Sequence, residues 1–242
     1  NHSMRRAVLF LLAAFSLPAS LMAADLQPFS ATYTADWKQL PFSGKAERSL
    51  KQQDDGTWKL DFSASMLVAS LNETSWLSLV NGDIRPHQYR YARKGMGKSK
   101  KIKQHFDWDT QQATGSDRGT PINLTLIQGV QDKSSYQLAL QRDIAEGKTS
   151  MSYQVLDGDD LDTYDFRVLG EESVETVVGS VDAIKVERVR DPTQSKRVTV
   201  LWFAKDWDFL LVRLQQVERD GKEYQIILED ATVNNKTVKG RN

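Results

Sequence analysis

Apolar and polar residues alternate from Phe29 to Trp37, with Phe29, Ala31, Tyr33, Ala35 and Trp37 on one side and Ser30, Thr32, Thr34 and Asp36 on the other. That is the period of a strand with one face in a core. It returns in Lys45–Gln52, where Ala46, Arg48 and Leu50 share a face, and in Trp58, Leu60, Phe62, Ala64 and Met66, set against Lys59, Asp61 and Ser63. Leu40-Pro41-Phe42-Ser43-Gly44 and Asp54-Asp55-Gly56 supply the turns, so these strands read as a meander. From Glu73 to Asp107 the alternation continues in Trp76 and Leu79, then in Tyr89 and Tyr91, with Asn81-Gly82-Asp83 turning between them and Phe106-Asp107-Trp108 closing a hairpin. Thr110–Asn123 is polar and without period, and reads as a surface connection.

The spacing changes near Asp132. Tyr136, Leu140 and Ile144 recur every fourth residue, which predicts a helix from about Asp132–Ser135 to Glu146, capped by Ser134 or Asp132 and ended by Gly147. Ser152–Leu156, Asp162–Leu169, Val174–Val178 and Ala183–Arg190 then read as strands of a second meander. It runs into the clearest stretch of the chain, Arg197–Glu229. There Val198–Phe203, Phe209–Gln215 and a run after the hairpin dipeptide Asp220-Gly221 predict three antiparallel strands. The fold class is mainly β: one strongly curved antiparallel sheet, a half-barrel or barrel-like meander, with one or two covering helices.

The 242 residues, 40% of them hydrophobic, suffice for one β-rich domain, expected over residues 25–232. Asn1-His2-Ser3 reads as a cloning scar. From Met4 to Ala24 the order of Arg5-Arg6, the apolar run Ala7–Leu17, Pro18 and small residues at Ala23-Ala24 is that of a cleaved secretory signal. No later stretch is apolar enough to span a membrane, so the exported chain is expected not to be membrane-spanning. Val233–Asn242 reads as a flexible polar tail. Removing the signal leaves 30 Lys and Arg against 32 Asp and Glu, which gives no global charge argument for nucleic acid. Cysteine is absent, which excludes disulfides, thiolate metal sites, cysteine nucleophiles and a cysteine-borne lipid anchor, and suits the periplasm.

Little in the chain points to catalysis. His87 and His105 have no partner at metal-ligand spacing and no nucleophile elbow is present; neither catalytic residue, metal nor cofactor is expected. The acidic run Asp157–Asp162 fails the spacing of a calcium loop and reads as a solvated turn. Two features suggest binding. Arg90, Arg93, Lys94, Lys98, Lys100, Lys101 and Lys103 make a basic hairpin fit for lipid phosphates, a cell-wall polymer or an acidic protein, although lysines also guard strand edges. Trp37, Trp58, Phe62, Met66 and Trp76 are expected to share one face of the sheet, where they form core or line a cavity.

The segments Pro41–Arg48, Asn72–Ser75, Pro86–Tyr91, Phe106–Trp108 and above all Trp202-Phe203-Ala204 with Leu211-Val212-Arg213 resemble the bacterial envelope family known as domain of unknown function 3108. Where that family commonly shows Leu-Pro-Val-Arg, this chain has Leu210-Leu211-Val212-Arg213. The resemblance brings no active site. In architecture the chain is also similar to periplasmic carriers of the LolA/LolB type, whose half-barrels close over an apolar cavity. The resemblance implies a periplasmic carrier of a lipid or acyl ligand. The alternative is an envelope accessory protein with a packed core, docking a protein partner or cell-wall polymer.

Overall fold

The structure, a computed structural model, describes residues 25–37, 43–95, 97 and 99–242; the leader read at 4–24, the Leu40–Phe42 part of the first turn and Lys98 lie outside them. The first half is a run of antiparallel strands: β1 (Phe29–Trp37), β2 (Ser43–Gln52), β3 (Trp58–Met66), β4 (Ala69–Val80), β5 (Asp83–Lys94), β6 (Lys100–Asp107), β7 (Gln112–Asp117) and β8 (Thr120–Thr125). Short β9 (Gln131–Asp132) leads into the helix α1 (Ser135–Ala145). The second half comprises β10 (Ser150–Asp157), β11 (Asp160–Thr176), β12 (Gly179–Val189), β13 (Val198–Ala204), β14 (Leu210–Val217), β15 (Glu223–Val233) and β16 (Lys236–Thr237). β15 pairs antiparallel with β1. The two meanders thereby join into one sheet, ordered β8 to β1 and then β15 back to β9.

The alternation read in β1, β2 and β3 sets the core. Phe29, Ala31, Tyr33 and Ala35 are buried, as are Ala46, Arg48 and Leu50 on β2 and Trp58 and Leu60 on β3. Three readings change. Thr110–Asn123 is not a connection but most of the edge hairpin β7–β8. Ala113 and Ile122 are buried there, and an edge strand needs few apolar residues, because only one face and one ladder are covered. Asp162–Leu169 and Val174–Val178 are not two strands; β11 continues through a bulge between Val168 and Gly170, where Gly170 takes φ 148° and absorbs the extra residue. The tail folds back onto the domain. Asn234 and Asn235, at φ 49° and 64°, turn the chain back on β15 as a hairpin suited to asparagine. Val238 is buried, and Arg241 forks onto Asp182 at 2.9 and 3.0 Å.

The sheet is open as a ladder but curled until its ends overlap. Leu156 of β10, with Leu126 and Val130, packs on Tyr89, Ile102, Phe106 and Ala113. Gln104 Nε2 donates to the carbonyls of Leu156 and Gly158 at 3.2 and 2.9 Å. Glycine suits position 158, where φ is 65° and a Cβ would fall 2.4 Å from Asp117 Oδ2.

The helix covers part of the concave side, burying Leu138, Leu140 and Ile144 in the main core. Asp132 caps it: Oδ1 accepts from the Ser134 and Ser135 amides at 2.8 and 2.6 Å, satisfying donors that a helix start leaves open. Ser134 holds the N-cap position without a side-chain cap bond. Among the described residues no helix is long and apolar enough to cross a membrane.

Candidate functional site

Along β3 the inner face changes character. Trp58 and Leu60 are sealed in the core, whereas Phe62, Ala64 and Met66 are half-buried, because α1 covers only one end of the curl. The uncovered end is a groove of about 1000 Å³. Ala35, Phe62, Ala64 and Met66 form one side, and Leu211, Leu214, Tyr224 and Ile226 of β14 and β15 form another. The third side is aromatic: Tyr136 at the start of α1 stacks on Phe166 at 5.8 Å and meets Tyr164 edge-on at 5.1 Å.

Arg48 stands at the inner limit of this groove, with 3% of its surface exposed. Register places Phe62 beside it on β3, and Glu73 beyond Phe62 on β4. The Arg48 guanidinium lies 5.0 Å from the Phe29 ring, and its Nη1 is buried without a hydrogen-bond partner. Burial lowers its pKa from the ordinary arginine value. The neighbouring Tyr33 hydroxyl donates to the Leu211 carbonyl at 2.6 Å, and burial pushes its pKa up to about 12.

Two carboxylates lie along the same sheet. Glu73 accepts from the Tyr89 hydroxyl, and desolvation pushes its pKa up to about 7. Asp132 accepts from Ser75 Oγ at 2.5 Å; burial raises it to about 6, against the pull of its hydrogen bonds.

The groove mouth is rich in arginine. Arg93, Arg188 and Arg190 border it, and none ion-pairs with a carboxylate among the described residues. Arg188 lies 3.7 Å from the centre of the Tyr164 ring. Arg190 is pushed down to about 10 by burial and by neighbouring Arg188 and Arg197. The other cations are paired, Lys133 with Asp157 at 3.3 Å and Arg197 with Glu218 at 2.8 Å. A smaller cleft of about 420 Å³ lies beside the helix C-terminus. Its charged groups are largely engaged with one another, as where Asp143 binds Lys148 and Tyr153 at 2.9 and 2.5 Å.

The expected aromatic face divides. Phe62 and Met66 line the groove, while Trp58 is a core residue. Trp76 sits on the opposite face, paired with Lys59 across the ladder and covered by Lys59 and Arg90 at 5.8 and 5.5 Å. Its neighbours Ser75 and Leu77 take the inner positions, so the period-two pattern places Trp76 outside. Trp37 ends β1 opposite Tyr224; its side chain lies outside the description.

The basic hairpin also divides. Arg93 and Lys100 are opposite one another, with Lys100 over the Tyr91 ring at 5.8 Å. Arg90, Lys101 and Lys103 are exposed on the outer face, and Lys94 is exposed at its end. Alternation therefore splits what reads as one patch into a groove-side pair and an outer set. Arg48, Glu73, Tyr136 and Arg188 are site residues that the reading for function passed over. Only Arg48 left a signal, a charge on the apolar face of Ala46 and Leu50.

A curled, open antiparallel sheet with one covering helix and a groove in its concave side defines a half-barrel. The chain belongs to the family described as proteins of unknown function, DUF3108, whose model matches residues 32–228. The fold is shared with a β-barrel-like protein of domain of unknown function DUF1849 from Brucella abortus, at 10% identity and TM-score 0.57 over 87% of this chain and 99% of that one. A candidate lipoprotein from Parabacteroides distasonis aligns at 11% identity and TM-score 0.32 over 86% and 96% of the two chains. A candidate outer membrane lipoprotein-sorting protein domain from Vibrio parahaemolyticus aligns at 11% and 0.24 over 85% of each. These two scores are too low to carry an argument. No curated protein matches the chain.

Proposed function

We propose that this chain is a periplasmic binding or carrier protein of the Gram-negative envelope, holding an apolar, acyl-bearing ligand in its concave groove. One observation carries the reading: the inner face of the half-barrel stays open over about 1000 Å³, where an accessory protein with a packed core would fill it. That volume matches the upper range of ordinary small-molecule sites, roughly 300–1,000 Å³. The inner walls of the groove are aliphatic and aromatic, with Ala35, Phe62, Ala64, Leu211, Leu214 and Ile226 among them, while many polar and charged groups surround them, a division that suits a ligand with an apolar part and a polar one. The leader at 4–24 supports export, and the arginines at the mouth suit a ligand or surface of negative charge.

The proposed role is binding without catalysis. Ser78 Oγ and His87 Nε2 lie 2.6 Å apart, but neither residue lines the groove. No carboxylate hydrogen-bonds that ring among the described residues, so nothing holds it as a general base.

Native mass spectrometry of protein exported to the periplasm and purified without detergent tests this. An added mass that resolves on denaturation to an acyl species is expected. A clean mass that stays unchanged after incubation with envelope lipids would overturn the reading in favour of docking to a protein or cell-wall polymer.

A further inference from the structure

Resting on that reading, we propose that the ligand is a single-chain anionic amphiphile that enters carboxylate first, its charged end received inside the groove by Arg48. A buried guanidinium is costly unless its charge and its N–H groups are matched. Here Nη1 is buried and unpartnered. No carboxylate ion-pairs with it among the described residues; Glu73, beyond Phe62 in the register, acts on its charge without reaching Nη1. Tyr33 gives its proton to Leu211, and its oxygen, although it acts on the guanidinium, leaves Nη1 unmet. The Phe29 ring offers only its π face, a weaker partner than an anion.

The position of Arg48 along its strand is as informative as its isolation. Toward the core its neighbour Leu50 pairs with buried Leu60, and beyond that point nothing can pass. Toward the mouth, Ala35 and Ala64 leave the path free of bulk and Met66 stands at its outer end. Arg48 thus ends an apolar passage, and a carboxylate arriving there meets the planar fork that guanidinium presents to it. A single chain led by its carboxylate suits an end set between Phe62 in the register and the Phe29 ring. Because Nη1 is closed to bulk water, arrival takes side-chain adjustment of the kind common on binding, and the resulting bond forms in a low-dielectric site where it is strongest.

Laurate and dodecanol, which differ in the charged end alone, separate this proposal from the one it rests on. In calorimetric titrations the wild type is expected to bind laurate about tenfold or more tightly than dodecanol, as a charge-assisted contact requires. Arg48→Met should bring laurate down to the dodecanol level, and Lys103→Gln, on the outer face, should leave the preference standing. Binding of neither compound would overturn both proposals. Equal binding of the two would keep the groove and overturn the role of Arg48, as would a preference that survives in Arg48→Met or disappears in Lys103→Gln. Orientation has a readout on the wild type, which stays decisive if Arg48→Met does not fold. With carbon-13-labelled laurate bound, a water-soluble paramagnetic chelate should relax the methyl end and spare the carboxyl carbon; the reverse pattern would overturn carboxylate-first entry.

Discussion

Ser75 Oγ donates to Asp132 Oδ2 across 2.5 Å, tying the middle of β4 to the residue that caps α1. Both residues are fully buried, so the helix is held to the sheet by a polar bolt as well as by Leu138, Leu140 and Ile144. Asp132→Ala removes the cap and leaves Ser75 and two helix-start amides without their acceptor. A loss of about 2–4 kcal/mol is expected, against about 1 kcal/mol for Ser75→Ala. Urea unfolding with unchanged slope checks the values. Costs that simply add in the double variant would show that the two residues act independently.

Glu73 and Asp132 give stability a pH dependence of definite sign. Their pKa values rise on folding, from 4.5 to about 7 and from 3.8 to about 6, so between those limits the native state holds protons that the unfolded chain has released. The stability these two groups contribute is then fullest below about pH 4 and is lost as pH rises through about 6 and 7. Urea midpoints across this range should decline in the wild type and decline less in Glu73→Gln. Parallel curves would remove Glu73 from the account.

Gln104 closes the overlap between the two ends of the sheet. Gln104→Ala strips the Leu156 and Gly158 carbonyls of their donor, for an expected loss of about 1–3 kcal/mol. The effect should be local, with faster amide exchange in β10 and at its turn than in β1 or β15. Uniform acceleration across the sheet would mean that the overlap is no separate unit.

The two faces of the first meander should separate in a binding assay. Ala64→Trp fills the groove beside Phe62 and should abolish acyl uptake, because the added ring takes the space of the chain. Trp76→Ala, on the outer face, should leave uptake unchanged. Its stability cost should stay below the 2–5 kcal/mol expected for Leu60→Ala in the core. Reduced uptake in Trp76→Ala would show that the outer face contributes to the site.

The meanders in β1–β3 and β13–β15 were legible because their strands carry apolar alternation or dense β-branched and aromatic runs, and because Asp55-Gly56 and Asp220-Gly221 mark a turn in each. The polar hairpin β7–β8 was not legible, since an edge needs little apolar surface to be held. Nor was the continuity of β11, where a bulge at Gly170 looks like a break. The placement of the tail was not legible because the Arg241–Asp182 fork joins residues far apart in sequence.

The site divides in the same way. Period-two alternation by itself assigned Arg48 to the inner face with Ala46 and Leu50, and brought Phe62 and Met66 to the same side of the sheet. It also contained the split of the basic hairpin, since residues one apart on a strand face opposite ways. The curl was decided by tertiary structure alone. How far the sheet bends, and how much of its concave side α1 covers, follows from contacts such as Gln104 with Leu156 and Ser75 with Asp132, which span more than 50 residues. Those distant contacts determine that Trp58 is core while Phe62 lines a groove, although the two occupy equivalent positions in one alternating strand.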